Sequence, residues 1–146
     1  MTGLVKPSER FRQEIEPALA DYRAGSLPSE RLANNLAKAI DHHLEWTFSY
    51  YEKVNPSRLF GAKNLPQFQN EMFKQCPSLQ MMWDLSDSAR HRFLTRKPPQ
   101  PLPPRIIESS TDAYSVVDGE LWVPCYGQKF LSAAIAAVDF WQHWQD

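Results

Sequence analysis

The chain has 146 residues, of which 42% are hydrophobic and 12% aromatic, enough apolar surface for a single packed domain over residues 1–146. Its formal net charge is −1, so RNA binding is possible only at a local basic patch, because a global positive field is absent. The two cysteines are too few for a disulfide scaffold and are expected to be free thiols. No apolar run approaches the ~20 residues of a membrane span. We therefore expect a cytoplasmic protein without a membrane partner.

Two amphipathic helices are predicted in the first third of the chain. The first begins with Ser8 as its N-cap, and Pro17 is expected to kink this helix or end it early. The second runs from near Pro28 to about Lys53. Its apolar face is so broad that we expect it to be the central helix of the fold, contacted from more than one side.

Prolines divide the middle of the chain. A short third helix starts at Pro66 and is broken by Pro77, and Ser78 is expected to cap a fourth helix that runs to about Arg96. Residues 97–104, KPPQPLPP, contain five prolines and predict a stiff, extended crossover. The alternative interpretation is a PxxP-type ligand for an aromatic groove.

The pattern changes from helical to extended after the prolines, over residues 105–124. Asp118-Gly119 is typical of a two-residue hairpin turn, here between the predicted strands Tyr114–Val117 and Glu120–Val123. A last helix is expected from about Lys129 to Trp144, with its inward face at Leu131, Ile135, Val138 and Trp141. The prediction is a mainly α, up-and-down bundle of four to five helices with a small β hairpin inserted before the C-terminal helix.

The predicted fourth helix carries the most distinctive polar residues. Asp84, Asp87, Ser88 and His91 are spaced to lie on one helical face, and Arg90 adjoins them. Asp87 can orient the ring of His91 at i+4, and the neighbouring cation can hold a phosphate. This face is therefore a candidate catalytic site. The alternative is an ordinary solvated surface with i,i+4 charge pairs.

A second group of polar residues, His42, His43 and Glu45, lies on the predicted central helix. We interpret His43 as a hydrogen-bonded core histidine because it falls on the apolar face. Adjacent histidines on a helix point about 100° apart and do not readily share one metal ion. The sequence also lacks HExxH, CxxC, G-x-S-x-G and Walker motifs, so neither a metal nor a cofactor is predicted.

The run from Trp83 to Arg96, WDLSDSARHRFLTR, resembles a helix of certain small bacterial and phage proteins. Their helix has the pattern D-x-x-x-A-[KR]-H-x-x-L-x-R, and their order of elements agrees over roughly residues 28–146. In outline these proteins are similar to HEPN-type domains, many of which are RNA-cleaving toxins or their nucleotide-binding relatives, often dimeric. The resemblance implies that His91 is an acid–base group and that Arg90 or Arg96 holds phosphate. The HEPN pattern places its arginine several residues before its histidine, whereas Arg90 directly precedes His91.

Two functions are consistent with these features. The first is a non-enzymatic interaction or regulatory module that forms a homodimer, or binds a protein partner, through its aromatic C-terminal helix. The second is a HEPN-like ribonuclease or phosphate-handling enzyme that uses the Arg90-His91 face. We favour the first function because the HEPN spacing of arginine and histidine is not intact.

Overall fold

The computed structural model describes residues 4–25, 29–86 and 114–144. Within these ranges the chain forms five helices and a small antiparallel sheet that precedes the last helix, which confirms the predicted fold class. The proline-rich residues 97–104 and the second half of the predicted fourth helix lie outside the described residues. The helical elements are α1 (Pro7–Arg10), a π-helical turn (Phe11–Ile15) and α2 (Glu16–Ala24), which together make one continuous helix, then α3 (Glu30–Val54), α4 (Leu65–Gln75), α5 (Pro77–Ser86) and α6 (Phe130–Gln142).

The first helix contains a proline without ending at it. Of the two outcomes predicted at Pro17, the early end does not occur, because the helix continues to Ala24 and Gly25 is its C-cap. In the π-helical turn before this proline the N–H of Glu16 bonds to the carbonyl of Phe11, five residues back. This wider turn accommodates a residue that has no N–H and whose ring would clash with a carbonyl in a regular α-helix. The predicted cap at Ser8 is also wrong, since the helix already starts at Pro7, a residue suited to the first helical position.

Helix α3 is the central element, as predicted. It contacts every other described helical element of the chain. Ser29 caps its start by accepting a hydrogen bond from the Leu32 N–H at 3.1 Å. Its buried face comprises Ala33, Leu36, Ala37, Ile40, Asp41, His43, Leu44, Thr47, Phe48 and Tyr51. Burial on so wide a face stabilises the helix chiefly through tertiary packing.

The connection from α3 to α5 is built from short helical pieces. After α3 come a 3₁₀-helix (Pro56–Leu59) and then α4, whose N-cap Asn64 accepts a hydrogen bond from the Gln67 N–H at 2.9 Å. Ser78 is not the cap of α5, contrary to the prediction, because Pro77 is already its first residue. Pro77 thus ends one helix and begins the next, since it lacks the N–H needed to continue α4 but suits a first turn.

The sheet has strand order β1–β2–β3, with β1 (Ser115–Val117), β2 (Glu120–Val123) and β3 (Gln128–Lys129). Asp118 and Gly119 both have positive φ, 52° and 78°, as a two-residue hairpin turn between right-twisted strands requires. The predicted hairpin is therefore confirmed. Leu121 and Val123 of β2 are buried, and this strand packs against α6.

Helix α6 buries a different face from the predicted one. Ile135 is 38% exposed and Leu131 is only partly buried, whereas Val138 and Trp141 are buried as expected. The inward residues are Phe130, Ala133, Ala134, Ala137, Val138 and Trp141. The three alanines on this face let the helix backbone pack closely against α3 and α5. These small side chains are therefore buried in place of Leu131 and Ile135.

Candidate interaction surface

The predicted catalytic face is represented in the described residues by Asp84 alone. Its side chain is 1% exposed and accepts a hydrogen bond from the hydroxyl of Tyr126. Asp84 lies neither on a solvated helix face nor in an open site, because it is enclosed between α5 and the turn that follows β2. Asp87, Arg90 and His91 lie outside the described residues.

The second polar group is divided between core and surface. His43 is 2% exposed, and its ring lies 4.6 Å from the Trp141 ring and 6.4 Å from the Phe11 ring, both edge to face. His43 is therefore a core residue, as predicted. His42 and Glu45 are exposed. Among the described residues, no three His, Cys, Asp or Glu side chains converge on a position where a metal ion could bind.

A different group of residues forms the most distinctive surface of the described chain. We define the aromatic end as Tyr51, Arg58, Phe60, Phe140 and Trp144. These residues come from the end of α3, the 3₁₀-helix and the loop after it, and the end of α6 with the residues that follow it. Aromatic residues and arginine are the types that contribute most to protein interfaces.

Trp144 is the centre of the aromatic end. Its indole N–H donates a hydrogen bond to the hydroxyl of Tyr51 at 3.2 Å, and its ring lies 6.0 Å from the ring of Phe140. Tyr51 is buried, while Phe140 and Trp144 are only partly buried. The hydrogen bond satisfies the polar atom of the indole and fixes the ring orientation, so an aromatic surface is held in one position at the end of the bundle.

Arg58 lies against two of these rings. Its guanidinium carbon is 4.7 Å from the ring centre of Tyr51 and 4.9 Å from that of Trp144. A cation at these distances is attracted to the electron-rich faces of both rings. The arginine is consequently held at the surface with little of the rotational freedom that an exposed arginine normally has.

Phe60 is the most unusual residue of the surface. Its side chain is 50% exposed, its ring packs edge-on against Trp144 at 6.4 Å, and its backbone has φ of 56°, in the left-handed region. Left-handed backbone is unfavourable for a bulky side chain by about 1–2 kcal/mol. The fold therefore maintains an unfavourable backbone conformation at a position where the aromatic ring is half exposed to solvent.

A cavity of about 210 Å³ adjoins the aromatic end on the side of the first helix. It is lined by Ser8, Phe11, Arg12, Glu16, Trp141, Gln142 and Trp144. Trp144 thus lines this cavity and also contacts Phe60 and Arg58.

The aromatic residues of the C-terminal helix were predicted to lie at a contact, and that contact stays a prediction. Of these residues Phe140 and Trp144 are partly buried and Trp141 is buried. Arg58 and Phe60 were not predicted because they sit in a segment that reads only as a loop. The one available signal was Gly61, which also has positive φ, 80°, and marks a tight turn.

Comparisons of the chain with protein-family models, with curated proteins and with solved structures find no match. A membrane-spanning helix needs a long, almost wholly apolar run, and the described part of the chain contains none. The geometry of the described residues is therefore the basis for a functional proposal.

Proposed function

We propose that this chain is a self-associating interaction module whose contact surface is the aromatic end. The observation that carries the proposal is Phe60, a half-exposed aromatic residue held on left-handed backbone. Strained backbone clusters at functional sites, where the surrounding fold compensates for its cost. Glycine or asparagine would suit this backbone better, and the part of the phenyl ring that does not pack on Trp144 is exposed to solvent, where a partner can cover it.

The side chains of the aromatic end are also ordered in the unbound chain. The stacking of Arg58 on Tyr51 and Trp144 and the hydrogen bond of Trp144 fix residues that would otherwise lose rotational freedom on binding. Such ordering usually costs about 0.5–1.5 kcal/mol for each immobilised side chain. A surface that is already ordered can therefore bind with less buried area.

A second copy of the chain is the partner that this surface suits best. A two-fold contact pairs a patch with itself, so the patch must contain both halves of each interaction. The aromatic end contains the exposed ring of Phe60 and the partly buried rings of Phe140 and Trp144, and two-fold pairing can place the Phe60 ring of each copy against the rings of the other. The net charge of −1 gives little repulsion between copies.

Sedimentation equilibrium of the full chain tests this proposal. We expect the wild type to form a dimer and Phe60→Asn to weaken it by about 30-fold, the effect of losing two symmetry-related contacts worth ~1 kcal/mol each. Asparagine tolerates left-handed backbone, so the variant should stay folded. Val116→Thr, at a 59% exposed position on the hairpin, is the matched control and should dimerise normally. A wild type that remains monomeric at high concentration, or a Phe60→Asn dimer of unchanged affinity, would contradict the proposal.

The HEPN-like alternative stays a prediction, since Asp87, Arg90 and His91 lie outside the described residues. Its test is RNA cleavage by the wild type and by His91→Ala. If both proteins give the same background cleavage, the ribonuclease hypothesis is wrong.

A further inference from the structure

A cleft between the first helix and α3 is lined by charged and titratable side chains. It is lined by Arg10, Glu14, Ala39, His42, His43 and Trp46 and has a volume of about 50 Å³. Since one water needs roughly 10–15 Å³ of such space, the cleft has room for about four waters or for one small polyatomic ion. None of its lining residues belongs to the aromatic end.

Arg10 is held rigidly at this cleft by an aromatic stack. Its guanidinium carbon lies 3.7 Å from the ring centre of Trp46, a side chain that is 48% exposed. Stacking occupies the flat face of the guanidinium and leaves its N–H donors pointing outward in the plane. Those donors form the planar fork that matches two oxygens of a phosphate or sulfate.

One of these donors has no acceptor. The Nε of Arg10 is buried and makes no hydrogen bond within the described part of the chain. Glu14 lines the same cleft but forms no ion pair with Arg10 among the described residues. Buried guanidinium N–H groups are almost always paired, because desolvating such a donor without an acceptor is unfavourable. The unmet donor therefore indicates an acceptor supplied from outside the chain.

His42 supplies a further donor to the same space. It lines the cleft and is exposed, and its imidazole can donate a ring N–H to an oxygen. We propose that this cleft, called the Arg10 cleft, binds a small tetrahedral oxyanion of the phosphate class. Glu14 is the one carboxylate in the lining, and its negative charge opposes the anion.

The charges of the lining allow a test with two effects of opposite sign. Inorganic phosphate is titrated into the full chain at constant pH and ionic strength, and NMR follows the Arg10 Nε–H and the Trp46 indole N–H. We expect saturable shifts of both signals. Arg10→Lys keeps the positive charge but loses the Nε–H and the planar fork, so its phosphate affinity should fall about tenfold or more. Glu14→Gln removes the opposing charge, so its affinity should rise several-fold.

Two results would overturn the proposal. One is the absence of a saturable shift of the Arg10 Nε–H with phosphate. The other is equal phosphate affinity of wild type and Arg10→Lys, with circular dichroism confirming that the variant is folded. The Glu14→Gln variant should fold as the wild type does, because Glu14 is exposed and its replacement leaves the core intact. The outcome is independent of dimer formation, since Phe60→Asn should bind phosphate as the wild type does.

Discussion

Replacing Tyr126 by phenylalanine tests whether Asp84 is a structural or a catalytic residue. Both side chains are buried, and the tyrosine hydroxyl donates to the carboxylate. Tyr126→Phe removes this donor and keeps the ring. A hydrogen bond to a charged group contributes about 1.5–3 kcal/mol. For a chain of 146 residues, 1 kcal/mol corresponds to roughly 2–4 °C in Tm, so we expect Tm to fall by about 3–12 °C.

Thermal and urea unfolding followed by circular dichroism measure this change. Tyr50→Phe is the matched control because Tyr50 is only partly buried, and a change of at most about 0.5 kcal/mol is expected there. A double-mutant cycle with Asp84→Asn isolates the pairwise interaction. A Tyr126→Phe protein as stable as the wild type would refute a structural hydrogen bond. If Asp84→Asn abolished an activity at unchanged stability, Asp84 would be functional, as first expected.

Two further predictions concern buried groups that titrate. Burial raises the pKa of the Cys76 thiol, so native alkylation should modify the half-buried Cys125 first and Cys76 about tenfold or more slowly, and the difference should vanish in guanidinium chloride. Burial also raises the pKa of Tyr114 from its ordinary 10.0, with Glu30 and Tyr22 adding to the effect. The folded state therefore holds this proton more tightly, and stability, complete below about pH 10, should fall above it by up to ~1.4 kcal/mol per pH unit. Urea unfolding of Tyr114→Phe, measured from about pH 9 to about pH 11 on either side of that ordinary pKa, should show a smaller loss of stability with pH than the wild type. An equal loss in both proteins would contradict the assignment of the pH dependence to Tyr114.

Elements with a strong local signal were predicted well. Helix α3 has a long apolar period and a stop at Asn55-Pro56, and the structure ends it at Val54. The hairpin has the one dipeptide, Asp118-Gly119, whose backbone preference nearly specifies the turn. In both cases the information lies within a few neighbouring residues, so tertiary contacts are not needed to read it.

Features that depend on distant residues were not predictable in the same way. Asp84 looked like a surface carboxylate because its donor, Tyr126, lies 42 residues further along the chain. The face of α6 was misplaced because packing favoured Ala133 and Ala137 over the larger Ile135. The position of Phe60 beside Trp144 likewise joins two segments far apart in sequence. Such juxtapositions depend on the whole packing of the bundle.

The π-helical turn before Pro17 also restricts how the length of this chain can vary. A π-helical turn contains one residue more than an α-helical turn, because its hydrogen bond joins residues five apart. Deleting one residue between Phe11 and Ile15 would convert it into a regular α-helical turn. It would also place the ring of Pro17 against a carbonyl of a regular helix. Among homologous chains with the same fold, we expect single-residue insertions and deletions to be absent from this segment and to accumulate in the connections between helices.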